Sequence, residues 1–441
     1  MEKSLHRSAF YNWWVVTVLM LAMVVSFIDR QIIALIIEPM KHDLNLSDTA
    51  VGWLYSGFAI FYAIAGYPLA WLADRKNRKV IISVGLCVWT FFTMCGGVVQ
   101  NFWSIFMSRI GVGVGEATLT PCAHSIIGDT MQKKQLPLAI AIFQGGSIVG
   151  TGLAFIFGGL VVSYVRNSAP IDLPIIGTIF SWQLAFFIVA CPGILVFFLL
   201  LTIREPLRAG SALSEVHTPE KTSLRSFYTV NRKAILCHHL GFASLVLMGY
   251  AFVFWTPSFF ERSYGIPAEE AAVVYGLIFL VSGSLGTVLS ASFAQKRMAQ
   301  GQYGSMFSIA MFGASGLILS IALIQVAESA FVAFLLYVPA LFFLNIPFGL
   351  SFGALPIIAA PDIRARVVAI YMLVVSAGNA IGPPLAGWLS DSFFTSSDDS
   401  LMQSLTFIAL FFGALGVTLI AYGKTAFAES VNRVANKDTR L

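Results

Sequence analysis

Residues 12–37 read NWWVVTVLMLAMVVSFIDRQIIALII, a largely apolar run that contains two adjacent charged residues, Asp29 and Arg30. A helix needs about 20 apolar residues to cross the hydrocarbon core of a bilayer, and this run is long enough to do so. It is too long for the apolar core of a cleavable signal peptide, so we expect it to remain as a first transmembrane helix. A charge in hydrocarbon costs roughly 2.5–3.5 kcal/mol per residue, so the two charges predict a functional role such as a substrate or proton pathway.

The composition of the whole chain leads to the same class of protein. The 441 residues have a mean hydropathy of +0.81, and only 11% of them are charged, whereas about 25% of residues are charged in soluble domains. A water-soluble fold of this length could not cover its surface with so few charges, so the sequence predicts a polytopic membrane protein. The five cysteines show no metal-ligand spacing, and we expect neither a metal nor a cofactor.

Apolar stretches of membrane-spanning length recur twelve times, which predicts an all-α fold of twelve transmembrane helices. The predicted spans are 12–37, 50–72, 79–100, 102–127, 136–163, 182–203, 234–259, 269–293, 304–325, 330–358, 365–391 and 401–423. A polar stretch separates six spans from six, so we expect two pseudo-symmetric six-helix halves, as in many secondary transporters. The predicted boundaries are 1–203 for the N-terminal half, 204–233 for a cytoplasmic linker, 234–423 for the C-terminal half and 424–441 for a cytoplasmic tail.

The distribution of basic residues predicts the orientation of the helices. With both termini in the cytoplasm, cytoplasmic segments hold 22 of the 27 Lys and Arg residues, and only Lys41, Arg166 and Arg262 fall on the outer side. An excess of Lys and Arg in cytoplasmic loops is the usual pattern of membrane proteins. We therefore expect an integral protein of the cell inner (plasma) membrane with both termini cytoplasmic.

The loop after the second predicted span reads AWLADRKNRK over residues 70–79. It resembles the signature of the major facilitator superfamily between its second and third helices. An acid among bases can face the positive N-terminus of a neighbouring helix while the bases stay at the cytoplasmic surface. We expect Asp74, Arg75, Arg78 and Lys79 to form a cytoplasmic gate; the alternative is a solvated loop that only sets the topology.

Three stretches together resemble the Spinster family within that superfamily: FIDR at 27–30, DRKNRK at 74–79 and RIGVGVGEA at 109–117. The resemblance implies the major facilitator fold and secondary transport. Spinster proteins are implicated in moving lysolipids and sphingoid lipids in animals, and bacterial relatives resemble proton-coupled exporters. The motifs do not name a substrate.

The intramembrane charges predict a proton switch. Arg109 and Glu116 are seven residues apart and share one helix face. A rise of about 1.5 Å per residue puts Asp29 at a depth similar to that of Arg109, so Arg109 could reach Asp29 in one conformation and lean toward Glu116 in another. We expect Asp29, Arg109 and Glu116 to couple protons, with Glu116 as the carrier. The alternatives are a static buried ion pair and, for Arg30, a position at the outer interface or on a lipid phosphate.

Aromatic residues make up 14% of the chain, and an aromatic cavity would suit an amphipathic cargo. The expected substrate-binding residues are Arg30, Arg109, Tyr55, Phe143 and Phe254. The predicted function is a proton-coupled secondary active transporter of an amphipathic or hydrophobic organic substrate, such as a lysolipid or sphingoid lipid, working by alternating access. The alternative within this class is a multidrug or organic-anion carrier, with Arg30 and Arg109 receiving the anion.

Other functional classes fit the sequence less well. No HExxH, GxSxG or Walker-type GxxxxGK[ST] motif is present, so we expect neither a membrane enzyme nor an ATP-driven pump. A sensor built on a transporter fold stays open. We expect a monomer whose partners are protons, membrane lipid and a small-molecule or lipid substrate, without nucleic acid.

Overall fold

The computed structural model describes residues 9–174, 177–207, 223–360, 363–395 and 399–438. In chain order the first helices are α1 (Ala9–Leu35), α2 (Ile37–Leu44), α3 (Asp48–Ala73), α4 (Arg78–Cys95), α5 (Phe102–Glu116), α6 (Leu119–Thr130), α7 (Leu136–Val165) and α8 (Ser181–Leu201). The later helices are α9 (Leu224–Val230), α10 (Arg232–Tyr264), α11 (Ala268–Ile278), α12 (Ser284–Ala299), α13 (Ser305–Gln325), α14 (Ala330–Ile358), α15 (Arg364–Ser392), α16 (Ser400–Ile408) and α17 (Ala414–Asp438). A short antiparallel hairpin of β1 (Ile171–Leu173) and β2 (Gly177–Ile179) precedes α8.

The prediction of an all-helical polytopic fold is confirmed. Eleven helical stretches of the described chain are long and apolar enough to cross a membrane, and they match eleven of the twelve predicted spans. Two of them contain a five-residue π-helical turn, at Phe279–Gly283 between α11 and α12 and at Ala409–Gly413 between α16 and α17.

The remaining predicted span, 102–127, is divided into α5 and α6 by a break at Ala117 and Thr118. Pro121 explains the break, because proline has no N–H to donate to the carbonyl of Ala117 and its ring crowds that carbonyl. The last three residues of α5 are Val114, Gly115 and Glu116. The acidic residue predicted to carry the proton therefore lies at the junction of two helical segments.

The first compact unit contains the described residues of Met1–Leu46, Gly57–Val216 and Ala268–Gly276. At its centre α1 packs along α7, with α8 alongside. Glycines of α7 allow this close approach, since a Cβ on Gly150 would lie 3.0 Å from the Cα of Val24 in α1.

The second compact unit contains the described residues of Ser47–Ser56, His217–Pro267 and Leu277–Leu441. Here α10 packs against α15 and α17, and α14 packs against α12 and α13. The Trp255 indole of α10 donates to the carbonyl of Pro383 in α15 at 2.9 Å. The predicted halves 1–203 and 234–423 stay a prediction, and linker residues 208–222 and tail residues 439–441 lie outside the described residues.

Substitution of Gly150 by valine tests the α1–α7 contact. The added side chain would meet the backbone of Val24, which cannot move aside as a side chain could. We expect Gly150→Val to lower the free energy of unfolding by about 1–3 kcal/mol, a typical effect of overpacking, as measured by thermal unfolding in detergent. Gly145→Val is the matched control, because a Cβ on Gly145 meets nothing within 4 Å; equal losses from both variants would contradict the close contact.

Candidate functional site

Glu116, at the end of α5, is bonded by two residues of α1. Ser26 Oγ donates to Glu116 Oε2 at 2.6 Å, and Arg30 Nε donates to the same oxygen at 2.7 Å. The Glu116 side chain is fully buried and that of Arg30 is 15% exposed. Hydrogen bonds between ionised groups are shorter and stronger than neutral ones, so these two contacts tie the end of α5 to α1.

The guanidinium of Arg30 is also surrounded by aromatic rings. It lies 4.6 Å from the ring centre of Phe27, 5.0 Å from that of Phe58 and 4.7 Å from that of Tyr62. Rings at these distances attract a cation through their quadrupoles. Arg30 therefore points into the protein, where Glu116 and three rings contact it.

The second base, Arg109, is buried in α5 beside Asp29 of α1. Its Nη1 lies 3.4 Å from the backbone carbonyl oxygen of Asp29, its Nη2 lies 3.4 Å from Ser108 Oγ, and its guanidinium lies 5.3 Å from the ring centre of Phe186. The structure thus brings Asp29 and Arg109 together, as their depths predict, but through a main-chain oxygen.

Three polar atoms of this cluster are buried without a hydrogen-bond partner among the described residues. They are Asp29 Oδ1, Arg109 Nε and Glu116 Oε1. An unsatisfied buried polar atom costs about 1–3 kcal/mol, and more when the group is charged. Asp29, Arg109 and Glu116 are therefore only partly satisfied, and each has an atom available for another partner.

The predicted aromatic residues fall into two places. Tyr55 Oη donates to Asn379 Oδ1 at 3.0 Å, and the Tyr55 ring lies 5.1 Å from that of Phe254. Both residues belong to the second compact unit and are buried. Phe143 belongs to the first unit, where its buried ring lies 5.3 Å from that of His124.

The four predicted gate residues do not form one cluster. Arg78 is 1% exposed, donates to Glu205 Oε1 at 2.7 Å and pairs with Asp129. Lys79 donates its backbone N–H to Glu205 Oε2 at 2.9 Å. Arg75 instead lies over the ring of Trp71 at 3.8 Å, and Asp74 is exposed.

The Arg78 cluster predicts a strong effect on stability. Arg78→Gln would leave Asp129 and Glu205 without their common base, and breaking a buried ion pair costs roughly 3–5 kcal/mol. Both acids keep about a fifth of their side-chain surface exposed, so we expect a loss near the low end, about 3 kcal/mol. Thermal unfolding in detergent measures it, with Arg75→Gln as the control expected to cost under about 1 kcal/mol. Similar melting temperatures for the two variants would argue against the cluster.

Two ionic contacts join helix ends, and neither was predicted from the sequence. In the first, Arg262 near the end of α10 donates to both carboxylate oxygens of Asp48, the first residue of α3, at 2.6 and 2.7 Å. Asp391 of α15 accepts from the Thr49 N–H at 2.7 Å and caps the same helix start. An acid at a helix N-terminus and a base near a helix C-terminus both complement the helix dipole.

The second contact has the same construction. Arg166 follows the last residue of α7 and donates to Glu269 Oε1, in the first turn of α11, at 2.5 Å. Glycines lie next to both contacts: a Cβ on Gly159 of α7 would lie 2.5 Å from the carbonyl oxygen of Glu269, and one on Gly387 of α15 would collide with the carbonyl of Asp48. Only glycine allows the backbones to come this close.

Among the described residues, no group of three or more His, Cys, Asp or Glu side chains is arranged to hold a metal ion. Four charged side chains instead meet where α1 and α5 pack, namely Asp29, Arg30, Arg109 and Glu116. Paired intramembrane charges of this kind mark pathways for ions or substrates, so the fold and the site together define a membrane transport protein.

Comparisons with known proteins agree. The sequence model of the Major Facilitator Superfamily matches residues 19–360. An MFS-type efflux pump of Mycolicibacterium smegmatis is 29% identical over 404 residues, which cover 89% of this chain and 87% of that protein. Protein spinster of Drosophila melanogaster is 24% identical over 447 residues, which cover 97% of this chain and 71% of that protein.

The fold also matches a solved structure. The crystal structure of a bacterial homolog to the human lysosomal transporter Spinster, in an inward-facing and unoccupied conformation, has a TM-score of 0.79 and 26% identity and covers 97% of this chain and 99% of that one. The chain belongs to the Major Facilitator Superfamily and, within it, is a Spinster-like transporter. This confirms the family indicated by the sequence motifs.

Proposed function

We propose that the chain is a proton-coupled secondary active transporter that moves an amphipathic or hydrophobic organic substrate by alternating access. The observation that carries this proposal is the Glu116 carboxylate, fully buried at a helix break, with Ser26 and Arg30 on one oxygen. We also propose that it lies in the cell inner membrane with cytoplasmic termini, because 22 of the 27 basic residues then lie inside, and that it acts as a monomer.

Protonation of Glu116 would release Arg30. A neutral carboxylic acid no longer attracts the guanidinium as an anion does, so the attraction between Glu116 and Arg30 would weaken while the rings of Phe27, Phe58 and Tyr62 stay beside it. An anionic group could then take the place of the carboxylate. Proton binding and anion binding are thereby linked through one side chain.

Asp29 and Arg109 complete the proposed coupling group. Arg109 lies at the Asp29 backbone, and the Oδ1 atom of Asp29 is buried without a hydrogen-bond partner among the described residues. A change in side-chain rotamer would let Arg109 bond this carboxylate or approach Glu116. The alternative of a static ion pair accounts less well for the unsatisfied atoms.

An amphipathic substrate fits the chemistry of the site residues. Arg30 offers a positive charge among aromatic rings, which suits a molecule with an anionic head and an apolar tail, and Arg109, Tyr55, Phe143 and Phe254 are the further proposed contacts. The Spinster-like character supports a lysolipid or sphingoid lipid. The similarity to an efflux pump supports the alternative, a multidrug or organic-anion carrier.

Alternating access requires contacts that form and break on each side of the membrane. In the proposed orientation, the Asp48–Arg262 and Arg166–Glu269 pairs lie on the outer side. Each pair joins one of the first six spans to one of the last six, so both must break before the outer side opens. On the cytoplasmic side we propose Asp74, Arg75, Arg78 and Lys79 as the gate, with Asp74 as the acid that changes partner.

Transport in proteoliposomes with an imposed pH gradient tests the proton switch. The cargo panel contains a lysophospholipid, a sphingoid base and a fluorescent organic anion. We expect Glu116→Gln, which cannot ionise, to lose the dependence of transport on the pH gradient by at least tenfold, and Asp29→Asn to reduce it. Glu270→Gln, which changes an exposed acid, is the matched control, and an unchanged gradient dependence in Glu116→Gln would refute the switch. The preferred cargo separates the lipid carrier from the anion carrier.

Neutralisation of the outer ion pairs tests the gate. We expect Arg166→Gln and Glu269→Gln each to accelerate amide hydrogen exchange in the first turn of α11 several-fold, because the ion pair no longer holds that turn. The double variant should be no faster than the faster single variant, since all three lack the same pair. Additive accelerations would show that the residues act independently.

A further inference from the structure

Two adjacent histidines near the start of α10, His238 and His239, have no part in the proposals above. They are 1% and 4% exposed, and a rise of 1.5 Å per residue puts them about 10 Å along the helix from its first residue. Both belong to the second compact unit, whereas Glu116 belongs to the first.

A backbone carbonyl fixes the hydrogen positions of the pair. His238 Nε2 lies 2.9 Å from the carbonyl oxygen of Ser351 in α14, and a carbonyl can only accept, so Nε2 carries the hydrogen. In a neutral imidazole the other nitrogen is then an acceptor. His238 Nδ1 lies 3.3 Å from His239 Nδ1, so His239 Nδ1 is the donor and its Nε2 is left with a lone pair.

The lone pair of His239 faces a hydroxyl of α9. Tyr228 Oη lies 3.5 Å from His239 Nε2. The hydrogen bonds therefore run in one direction, from Tyr228 through His239 and His238 to the carbonyl of Ser351. Burial raises the pKa of the Tyr228 hydroxyl above its ordinary value, so this group keeps its proton and can donate.

The other neighbours of the pair come from four elements. The rings within contact distance are Phe242 of α10, Phe307 of α13, Tyr371 of α15 and Tyr228 of α9. On α10 itself the nearby titratable residues are Cys237 and Lys233, and the Lys233 ammonium lies over the ring of Tyr422. In the described part of the chain neither imidazole bonds a carboxylate.

We propose that His239 Nε2 is a proton-binding site that takes one proton, with Tyr228 as its entry and His238 as a positioning residue. When His239 Nε2 gains a proton, only the Tyr228 hydroxyl must turn so that its oxygen accepts. The ring of Tyr371, centred 5.2 Å away, then faces a cation, which is favourable. In the transfer, Tyr228 gives its proton to His239 Nε2 and takes one from a hydronium ion, which leaves as water.

The same geometry limits the site to one proton. A second proton, on His238 Nδ1, would set two N–H groups against each other across 3.3 Å and would remove the acceptor that orients His239. The site goes beyond the proposed coupling group, because it holds whether or not Glu116 carries a transported proton. In the proposed orientation it opens to the cytoplasm.

Nuclear magnetic resonance of the full-length protein, labelled with ¹⁵N-histidine in lipid nanodiscs, tests the proposal between about pH 3 and pH 8. We expect His238 to keep its hydrogen on Nε2 throughout, and His239 to change from the Nδ1–H form to the doubly protonated form. His124→Gln is the control, because it removes another helical histidine and should leave both signals unchanged. Titration of both rings, of neither ring, or an Nε2–H form of neutral His239 would overturn the proposal.

Three variants separate the roles. Tyr228→Phe removes the oxygen that accepts from charged His239, so the proton affinity should fall by about 2- to 10-fold, the usual worth of one hydrogen bond. His238→Asn keeps an acceptor near the Nδ1 position and should preserve the Nδ1–H form of His239. His238→Phe removes the acceptor, so we expect a mixture of the Nδ1–H and Nε2–H forms of His239. Glu116→Gln should leave the His239 titration unchanged; a shift there would mean that the two proton sites are one system.

Discussion

The ion pair of Arg30 and Glu116 is the interaction on which the rest of the proposed mechanism depends. Two charges cost several kcal/mol each to remove from water, and their attraction offsets this only when the geometry is good and the remaining atoms are bonded. Here one carboxylate oxygen has two donors and the other has none among the described residues. The pair therefore holds α1 and α5 in one arrangement. Because one carboxylate oxygen has no donor, Glu116 can also take a different partner in another arrangement of the two helices.

Helix positions could be predicted from the sequence, whereas the partners of the charged residues could not. Apolar length alone located the spans but not the break at Ala117, although Pro121 signalled it. Depth along a helix predicted that Asp29 and Arg109 would be neighbours, but it carries no information about rotation around the axis. Ser26 and Arg30 are four residues apart, which places both on the face of α1 that bonds Glu116. Asp29 directly precedes Arg30 and lies on a different face.

The ionic contacts at the helix ends could not be predicted for a different reason. Asp48 and Arg262 are 214 residues apart, and Arg78 and Glu205 are 127 apart. Each of these residues reads, by itself, as an ordinary charge at the end of a span. Three basic residues are predicted on the outer side, and the structure shows that two of them, Arg166 and Arg262, pair with acids of other helices. These two are therefore explained by their ion pairs and are not simply exceptions to the excess of basic residues in cytoplasmic loops.

The break between α5 and α6 has a mechanical consequence. A carboxylate in the middle of an unbroken helix would respond only to events at its own side chain, but Glu116 is the last residue before the break. Any change in the angle between the two segments displaces the carboxylate relative to α1, and any change in its charge alters the force across that break. The charge on the Glu116 carboxylate and the angle between α5 and α6 are thereby coupled, so a change in either one changes the other.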